Sequence, residues 1–311
     1  MSIVSVKDIR KSYNKGRTRA LKGVSFDVNQ GEIFGLIGPD GAGKTSLFRI
    51  LTTLILPDSG SASIDGMDIV KDFRHIRKKI GYMPGRFSLY QDMTVEENLN
   101  FFATVFNTTI AENYHLVEDI YRQIEPFKKR RAGKLSGGMK QKLALSCALI
   151  HAPKVLFLDE PTTGVDPVSR KEFWEMLQRL KENYKLSIIV STPYMDEAMQ
   201  CDRIALIKDG KFLTIDMPDA IIARYDQRLW AVRADDMHRL LTELRAWKHC
   251  LTAFSFGEMY HVTVDNEASQ ADLITYLADL GHENIKMGMI KASIEDSFMT
   301  LSNRNLENEQ R

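Results

Sequence analysis

The chain has 311 residues, 44% hydrophobic and 27% charged, with a net charge of +1; this is ordinary globular usage and long enough for more than one domain. The near-neutral charge gives no global field toward nucleic acid or an acidic membrane surface. Three widely spaced cysteines, Cys147, Cys201 and Cys250, argue against a disulfide framework or a zinc cluster and make a reducing compartment the default.

The first residues, Met1 to Asp8, have neither a basic region nor a long apolar run, so they read as no signal peptide. No apolar run approaches the ~18 residues that span a bilayer, so at a membrane the chain would act as a peripheral subunit. Residues 3–9 and 20–28 read as strands, with Tyr13 in the turn region between them. Residues 33–37 are a short apolar run, followed by a Gly-rich loop and a helix from Lys44 to about Thr53. Pro57-Asp58-Ser59-Gly60-Ser61 is a turn cluster, and 61–65 a strand closed by Asp65-Gly66. From about Thr94 to Ala152 the pattern is helical. Val95, Leu99, Phe102, Val105 and Phe106 fall on one stripe, and Leu143, Leu145, Ala148 and Leu149 on another. Residues 155–158 are wholly apolar, as expected of a parallel strand buried on both faces. A helix over 169–182, strands at 187–191 and 204–207, and a hairpin turn at Lys208-Asp209-Gly210-Lys211 follow. This alternation argues for a mostly parallel sheet with helices on both faces.

Composition shifts near Asp216-Met217-Pro218. After a short helix over 218–224 come strand (228–234), helix (235–246), strand (251–256), strand (259–264), helix (269–280) and strand (284–290). That order, βαββαβ, is the ferredoxin-like pattern. A short helix over 293–301 and a polar tail over 303–311 follow.

Three motifs carry chemistry. Gly38-Pro39-Asp40-Gly41-Ala42-Gly43-Lys44-Thr45 is a full P-loop pattern between strand and helix. Its glycines let backbone N–H groups point inward around a phosphate, and the helix adds its positive end. Lys44 would reach the β- and γ-phosphates and Thr45 would ligate Mg²⁺. Val155-Leu156-Phe157-Leu158-Asp159-Glu160 ends an apolar strand in two acids. Asp159 is placed to hold Mg²⁺ through water, and Glu160 to polarise an attacking water. Leu135-Ser136-Gly137-Gly138-Met139-Lys140-Gln141-Lys142 offers an N-capping serine and two glycines that expose N–H groups at a helix start, an anion site without a lysine. The basic run Lys128-Lys129-Arg130-Arg131 lacks interleaved aromatics and reads as a solvated face or turn, so no nucleic-acid partner is expected.

In this order the three motifs resemble those of the ATP-binding-cassette (ABC) ATPases, over about residues 2–215. The resemblance implies an α/β P-loop NTPase: a RecA-like core, an antiparallel β subdomain and an α-helical signature subdomain, with a small C-terminal α+β ferredoxin-like domain. Its boundaries would be 1–217 for the nucleotide-binding domain, with the helical subdomain at about 88–152, then 218–302 and the tail 303–311. It implies ATP and Mg²⁺ as ligands. The ATP site would comprise Gly38, Pro39, Asp40, Gly41, Ala42, Gly43, Lys44, Thr45 and Ser46, with Thr45 and Asp159 on the metal and Glu160 catalytic. Tyr13, 25 residues before Gly38, matches the aromatic that stacks on adenine, a position that a core or surface aromatic also fits. Ser136, Gly137, Gly138 and Gln141 would act on the nucleotide of a second cassette, in a homo- or heterodimer. Asp166, in Gly164-Val165-Asp166, would lie along that interface.

Two positions depart from the family. A glutamine usually follows a segment like Gly81-Tyr82-Met83-Pro84, where it contacts Mg²⁺ and the attacking water and its loop senses the membrane subunit; here it is Gly85. A histidine that contacts the γ-phosphate usually follows a strand like Ile188-Ile189-Val190-Ser191-Thr192; here it is Pro193, which has no side-chain donor. Both groups act at the γ-phosphate, so binding should survive and hydrolysis weaken; Gln91 is a distant substitute. Ser191 to Ala198, Cys201-Asp202-Arg203 and the ending Ser293-Ile294-Glu295-Asp296-Ser297-Phe298 are similar to the ABC-2-type exporters, a branch that includes drug exporters. The leading expectation is the ATP-binding subunit of such an exporter, on the cytoplasmic face of the membrane through an integral permease. It resembles the first cassette of a tandem or the weaker member of a heterodimer. A nucleotide-clamped regulatory cassette and a soluble cassette of translation or DNA repair are the alternatives.

Overall fold

Every residue of Ile33–Ile37 (β3), Val155–Asp159 (β7) and Ser187–Thr192 (β8) is buried. Side chains of a strand alternate between faces, so burial at all positions means that both faces are covered. In this computed structural model, which describes residues 2–86 and 88–310 with side chains through 303, those three strands form the middle of a six-stranded sheet. The sheet is completed by Ile80–Met83 (β6), Arg203–Lys208 (β9) and Lys211–Asp216 (β10), in the order β10-β9-β3-β8-β7-β6. All pairings are parallel except β9 with β10, which meet through the turn at Asp209 and Gly210, both at positive φ. Ile37 pairs with Thr192 and Asp159 with Ser191. The carboxyl ends of β3, β8 and β7 therefore stand side by side, the place where sheets of this kind hold ligands.

A second sheet, antiparallel, is built from Ser2–Tyr13 (β1), Thr18–Asn29 (β2), Ser59–Ile64 (β4) and Met67–Asp68 (β5), in the order β2-β1-β4-β5. Tyr13 is the last residue of β1, paired with Thr18, and not in the turn. Register shifts along β1 and β2 carry both strands past the end of clean apolar alternation. One apolar cluster joins the sheets, running from Val4, Val6 and Ile9 through Phe34, Leu47 and Phe48 to Phe157 and Ile207.

The helices are Lys44–Leu51 (α1), Phe73–Lys79 (α2), Val95–Val105 (α3), Ile110–Tyr121 (α4), Gly137–Leu149 (α5) and Pro167–Tyr184 (α6). The expected helical stretch from Thr94 to Ala152 is thus three helices. Asn107, at φ 55°, ends the first, and Thr109 caps the second by accepting a bond from Glu112 N. Thr94 and Glu97 form a reciprocal capping box at the start of α3. Val105 leaves the predicted stripe and is 56% exposed.

The chain divides into two units, Met1–Pro218 and Asp219–Arg311. After Pro218–Ala223 (α7), the second unit contains Arg228–Arg233 (β11), Met237–Ala246 (α8), Cys250–Phe256 (β12), Met259–Val264 (β13), Gln270–Asp279 (α9) and Lys286–Met289 (β14). The strands are antiparallel in the order β12-β13-β11-β14, the ferredoxin-like arrangement. Its own core gathers Trp230, Val232, Leu240, Leu244, Trp247, Val262, Leu273 and Leu277. The last helix, Ile294–Gln310 (α10), runs through most of the expected polar tail; Arg311 lies outside the described residues. Among the described residues no helix is long and apolar enough to cross a membrane.

Candidate functional site

The loop after β3 needs glycine for two separate reasons. A Cβ on Gly38 would lie 2.1 Å from the Ile207 carbonyl oxygen, and Gly43 stands at φ 109° with a Cβ position 2.4 Å from the Ala20 oxygen. Gly43 caps α1 without any side-chain bond, so the first N–H groups of α1 are presented to the loop at the positive end of the helix. Lys44, 3% exposed, lies within this loop. Its Nζ donates to the Gly38 oxygen at 2.7 Å and the Pro39 oxygen at 3.0 Å, and stands 3.4 Å from Glu160 Oε1.

Asp159 ends β7 and is 2% exposed. Its Oδ1 accepts a bond from Thr45 Oγ1 at 3.4 Å and from Ser191 Oγ at 2.5 Å. Glu160 follows at φ 51°, a left-handed conformation uncommon for residues with a side chain. That conformation is held by bonds from Glu160 N to the Ser191 oxygen at 3.0 Å and to Ser191 Oγ at 3.2 Å. Strain retained in this way is characteristic of functional positions. Here it accompanies the turn of the Glu160 carboxylate toward Lys44. Tyr13 approaches from β1: its hydroxyl donates to Ser46 Oγ at 3.2 Å, and Lys11 Nζ stands 5.8 Å from its ring centre.

The structure thus gathers Tyr13, Lys44, Thr45, Ser46, Asp159 and Glu160 at the carboxyl ends of the central strands of the parallel sheet. One ammonium, a ring of N–H groups and two carboxylates suit a polyphosphate with a divalent cation. A hydroxyl beside a single carboxylate is a hard-oxygen donor set that fits Mg²⁺, which takes its remaining ligands from phosphate and water.

Ser136, Gly137, Gly138, Gln141 and Asp166 form a second grouping. Ser136 Oγ caps α5 by accepting from Met139 N at 3.3 Å, and Asp166 caps α6 by accepting from Ser169 N at 3.0 Å. The two helix starts touch: Cβ positions on Gly137 and Gly138 lie 3.5 Å from the Gly164 oxygen and 2.9 Å from Ser169 Oγ. Ser136, Gly137 and Asp166 are exposed.

At position 85 a Cβ would stand 2.9 Å from the Asp159 carbonyl oxygen. The main chain there is packed too closely for an added side chain without a shift. Gln91 packs beside Gly133, three residues ahead of Ser136: its carbonyl accepts from Gly133 N at 2.9 Å, and its Oε1 lies 3.7 Å from a Cβ position on that glycine. Pro193 follows Thr192, whose Oγ1 accepts from Tyr194 N at 3.1 Å and donates to Glu197 Oε2 at 2.6 Å. Sequence reasoning assigned no role to Ser191, Thr192 or Glu197. The available signal was the pair of hydroxyls that closes the otherwise apolar run of β8. An apolar groove of about 410 Å³ adjoins the segment at position 85, lined by Leu54, Met83, Pro84, Leu89, Phe102 and His151.

A family model described as ABC transporter matches residues 21–163. The chain is 42% identical over 304 residues to the "Probable multidrug ABC transporter ATP-binding protein YbhF" of Escherichia coli (strain K12), covering 96% of this chain and 52% of that protein. The chain therefore spans about half the length of that relative. It is 34% identical over 309 residues to the Nod factor export ATP-binding protein I of Burkholderia orbicola (strain AU 1054), covering 98% of each. Among solved structures, it is similar to a dimeric, post-hydrolysis form of the ATP-binding cassette MJ0796 bound to ADP and Pi. The TM-score is 0.62 at 26% identity, over 69% of this chain and 98% of that one.

Proposed function

Since the chain belongs to the ABC transporter family of ATP-binding proteins, we propose that it is the ATP-binding subunit of an exporter, coupling ATP binding and hydrolysis to transport through a separate integral membrane permease. Similarity over nearly all of this chain to a multidrug ATP-binding protein, and over nearly the full length of a Nod factor export ATP-binding protein, supports the export reading. The observation that carries the catalytic part is the convergence of Lys44, Thr45, Asp159 and Glu160 at the ends of β3 and β7.

In this reading the N–H groups from Gly41 to Ser46 cradle the β-phosphate, Lys44 serves the β- and γ-phosphates, and Tyr13 presents a ring face to adenine. Thr45 and Asp159 would hold Mg²⁺, and the bound cation would supply charge neutralisation at the phosphate oxygens. Phosphate oxygens compete with Glu160 for the Lys44 ammonium, so nucleotide entry frees the Glu160 carboxylate to orient and deprotonate the attacking water. Ser136, Gly137, Gly138, Gln141 and Asp166 face the nucleotide of a second cassette. The groove beside Pro84 and Leu89 receives the permease on the cytoplasmic face of the membrane, which suits its apolar lining.

Gly85 and Pro193 weaken the γ-phosphate end, and losing a positioned polar group in a transition state costs on the order of 10²–10³ in rate. The chain's own site therefore binds Mg-ATP and turns over slowly. Nucleotide binding by the full chain, abolished by Lys44→Ala and retained by Glu160→Gln, together with a slow turnover lost in Glu160→Gln, is the expected pattern. Binding that is indifferent to Lys44→Ala would refute it. The same two positions favour a second reading, a cassette that clamps on ATP without driving transport; ATP-dependent pairing with no turnover at all would select it.

A further inference from the structure

Arg170 lies one turn into α6, and its backbone N–H donates to the Asp166 oxygen at 2.9 Å. Its guanidinium stacks on the ring of Tyr194, 4.5 Å from the centre, directly after Pro193. Its Nε is 3.8 Å from Glu197 Oε1, and its Nη1 is 3.9 Å from Asp196 Oδ2. Neither distance is a hydrogen bond. Glu197 is 3% exposed and spends its other oxygen, Oε2, on the Thr192 hydroxyl. Arg170 Nε and Glu197 Oε1 are both buried, and neither has a hydrogen-bond partner. Arg170 and Glu197 thus form a long ion pair whose two buried atoms stand about 1 Å beyond the length of a charge-assisted bond. A buried polar atom without a hydrogen bond is costly, so a small approach of the two segments is rewarded.

The two segments have distinct neighbours. The start of α6 packs through Ser169 on Gly138 of the signature turn. The other segment carries Thr192, Pro193 and Tyr194 at the end of β8, beside Ser191 and the acidic pair. Consecutive residues, Ser169 and Arg170, therefore connect the surface offered to a second cassette with the γ-phosphate end of this chain's own site.

We propose that Arg170 and Glu197 are positioning residues that close to a hydrogen-bonded pair when the Asp166 loop shifts, pulling the segment at Pro193 into its hydrolytic position. The proposal deepens the ATPase reading and rests on it. With no histidine at 193, this chain sets the γ-phosphate end by moving the segment as a whole and not by a side chain reaching from it. Neither residue touches nucleotide; Glu197 acts through Thr192, and Arg170 through Tyr194 and Glu197.

The test uses the full chain with Arg170→Met, Arg170→Lys, Glu197→Gln and the Arg170→Met/Glu197→Gln double variant. Three readouts are the affinity for a fluorescent ATP analogue, the single-turnover rate with Mg-ATP, and the melting temperature. Expected are affinities within about twofold of the parent and a rate about tenfold lower in Arg170→Met and Glu197→Gln. The double variant should fall no further than either single one, and Arg170→Lys should recover part of the rate. Unchanged rates at unchanged affinity would overturn the proposal, as would single losses that multiply in the double variant. If Arg170→Met fails to fold, Arg170→Lys and Glu197→Gln decide alone. Failure of the parent chain to bind the analogue would overturn the ATP-site reading first, and this proposal with it.

Discussion

Ser191 stands at the crossing of the two acids: its hydroxyl donates to Asp159, and the same residue accepts Glu160 N through both its oxygens. Substitution by alanine removes one donor from a buried carboxylate placed to hold Mg²⁺. Loss of such a supporting bond typically weakens metal affinity about 10–100-fold. Ser191→Ala should therefore raise the Mg²⁺ concentration for half-maximal hydrolysis about tenfold and leave metal-free nucleotide binding unchanged; a Mg²⁺ titration of turnover checks it. Position 85 makes the opposite kind of prediction. Adding a side chain there drives a Cβ to 2.9 Å from the Asp159 oxygen, and overpacking costs about 1–3 kcal/mol. Gly85→Gln should lower the melting temperature without raising the hydrolytic rate tenfold. A faster, undiminished variant would mean that the loop at 85 gives way freely. The convergence legible in sequence was that of residues marked by local spacing, Gly38 to Thr45 and the Asp159-Glu160 pair. Arg170 and Glu197 are 27 positions apart, so no local pattern announces them.

At the scale of elements, legibility followed burial. Strands β3, β7 and β8 read correctly because their interiors are apolar, with Ser187, Asp159, Ser191 and Thr192 only at strand ends. Helix α2 and strand β6 were missed: α2 is seven residues, mostly basic, with Ile76 its one buried position, and offers no stripe to find. Its last residue nevertheless ties the antiparallel sheet to the parallel one. Asp65, in the turn after β4, accepts from Lys79 at 2.7 Å and from Lys154, just before β7, at 2.8 Å. The bond from Lys154, then that from Lys79, hold the Asp65 carboxyl below its usual range. A carboxylate whose folded value is lowered adds stability above its unfolded value, near 4, and loses it as pH falls through the folded value. Asp65 sits at φ 51°, which asparagine also tolerates, so Asp65→Asn isolates the charge. The variant should be less stable at pH 7 by on the order of 1 kcal/mol, with the difference vanishing in strong acid. Denaturant melts of both proteins between pH 2.5 and pH 7, a window chosen about the ordinary carboxylate range of about 4, measure this; a constant difference would contradict the charge account.

For the molecule as a whole, two groupings of functional residues emerge from one chain. In the proposed reading one holds the chain's own nucleotide; the other, at the starts of α5 and α6, is exposed at Ser136, Gly137 and Asp166. The second has the features of an anion site, a serine cap and two glycines at a helix N-terminus, while the first lacks the family's glutamine and histidine at Gly85 and Pro193. An assembled transporter should then tolerate damage to this chain's own loop better than damage to its signature: Ser136→Arg should reduce transport more than Lys44→Ala does, and the reverse order would argue against asymmetry. The βαββαβ order of the second unit was legible because its longer strands are short runs rich in β-branched and aromatic residues and the helices between them each bury a leucine pair, Leu240 with Leu244 and Leu273 with Leu277. The helical length of α10 was not, because its last turns are polar. The most direct test of the central claim is single-turnover hydrolysis of Mg-ATP by the full chain, with Lys44→Ala and Glu160→Gln beside it. The account predicts nucleotide binding that depends on Lys44, and a slow turnover that disappears in Glu160→Gln. Fast turnover, at the rate of a cassette with its glutamine and histidine in place and abolished by Glu160→Gln, would contradict it.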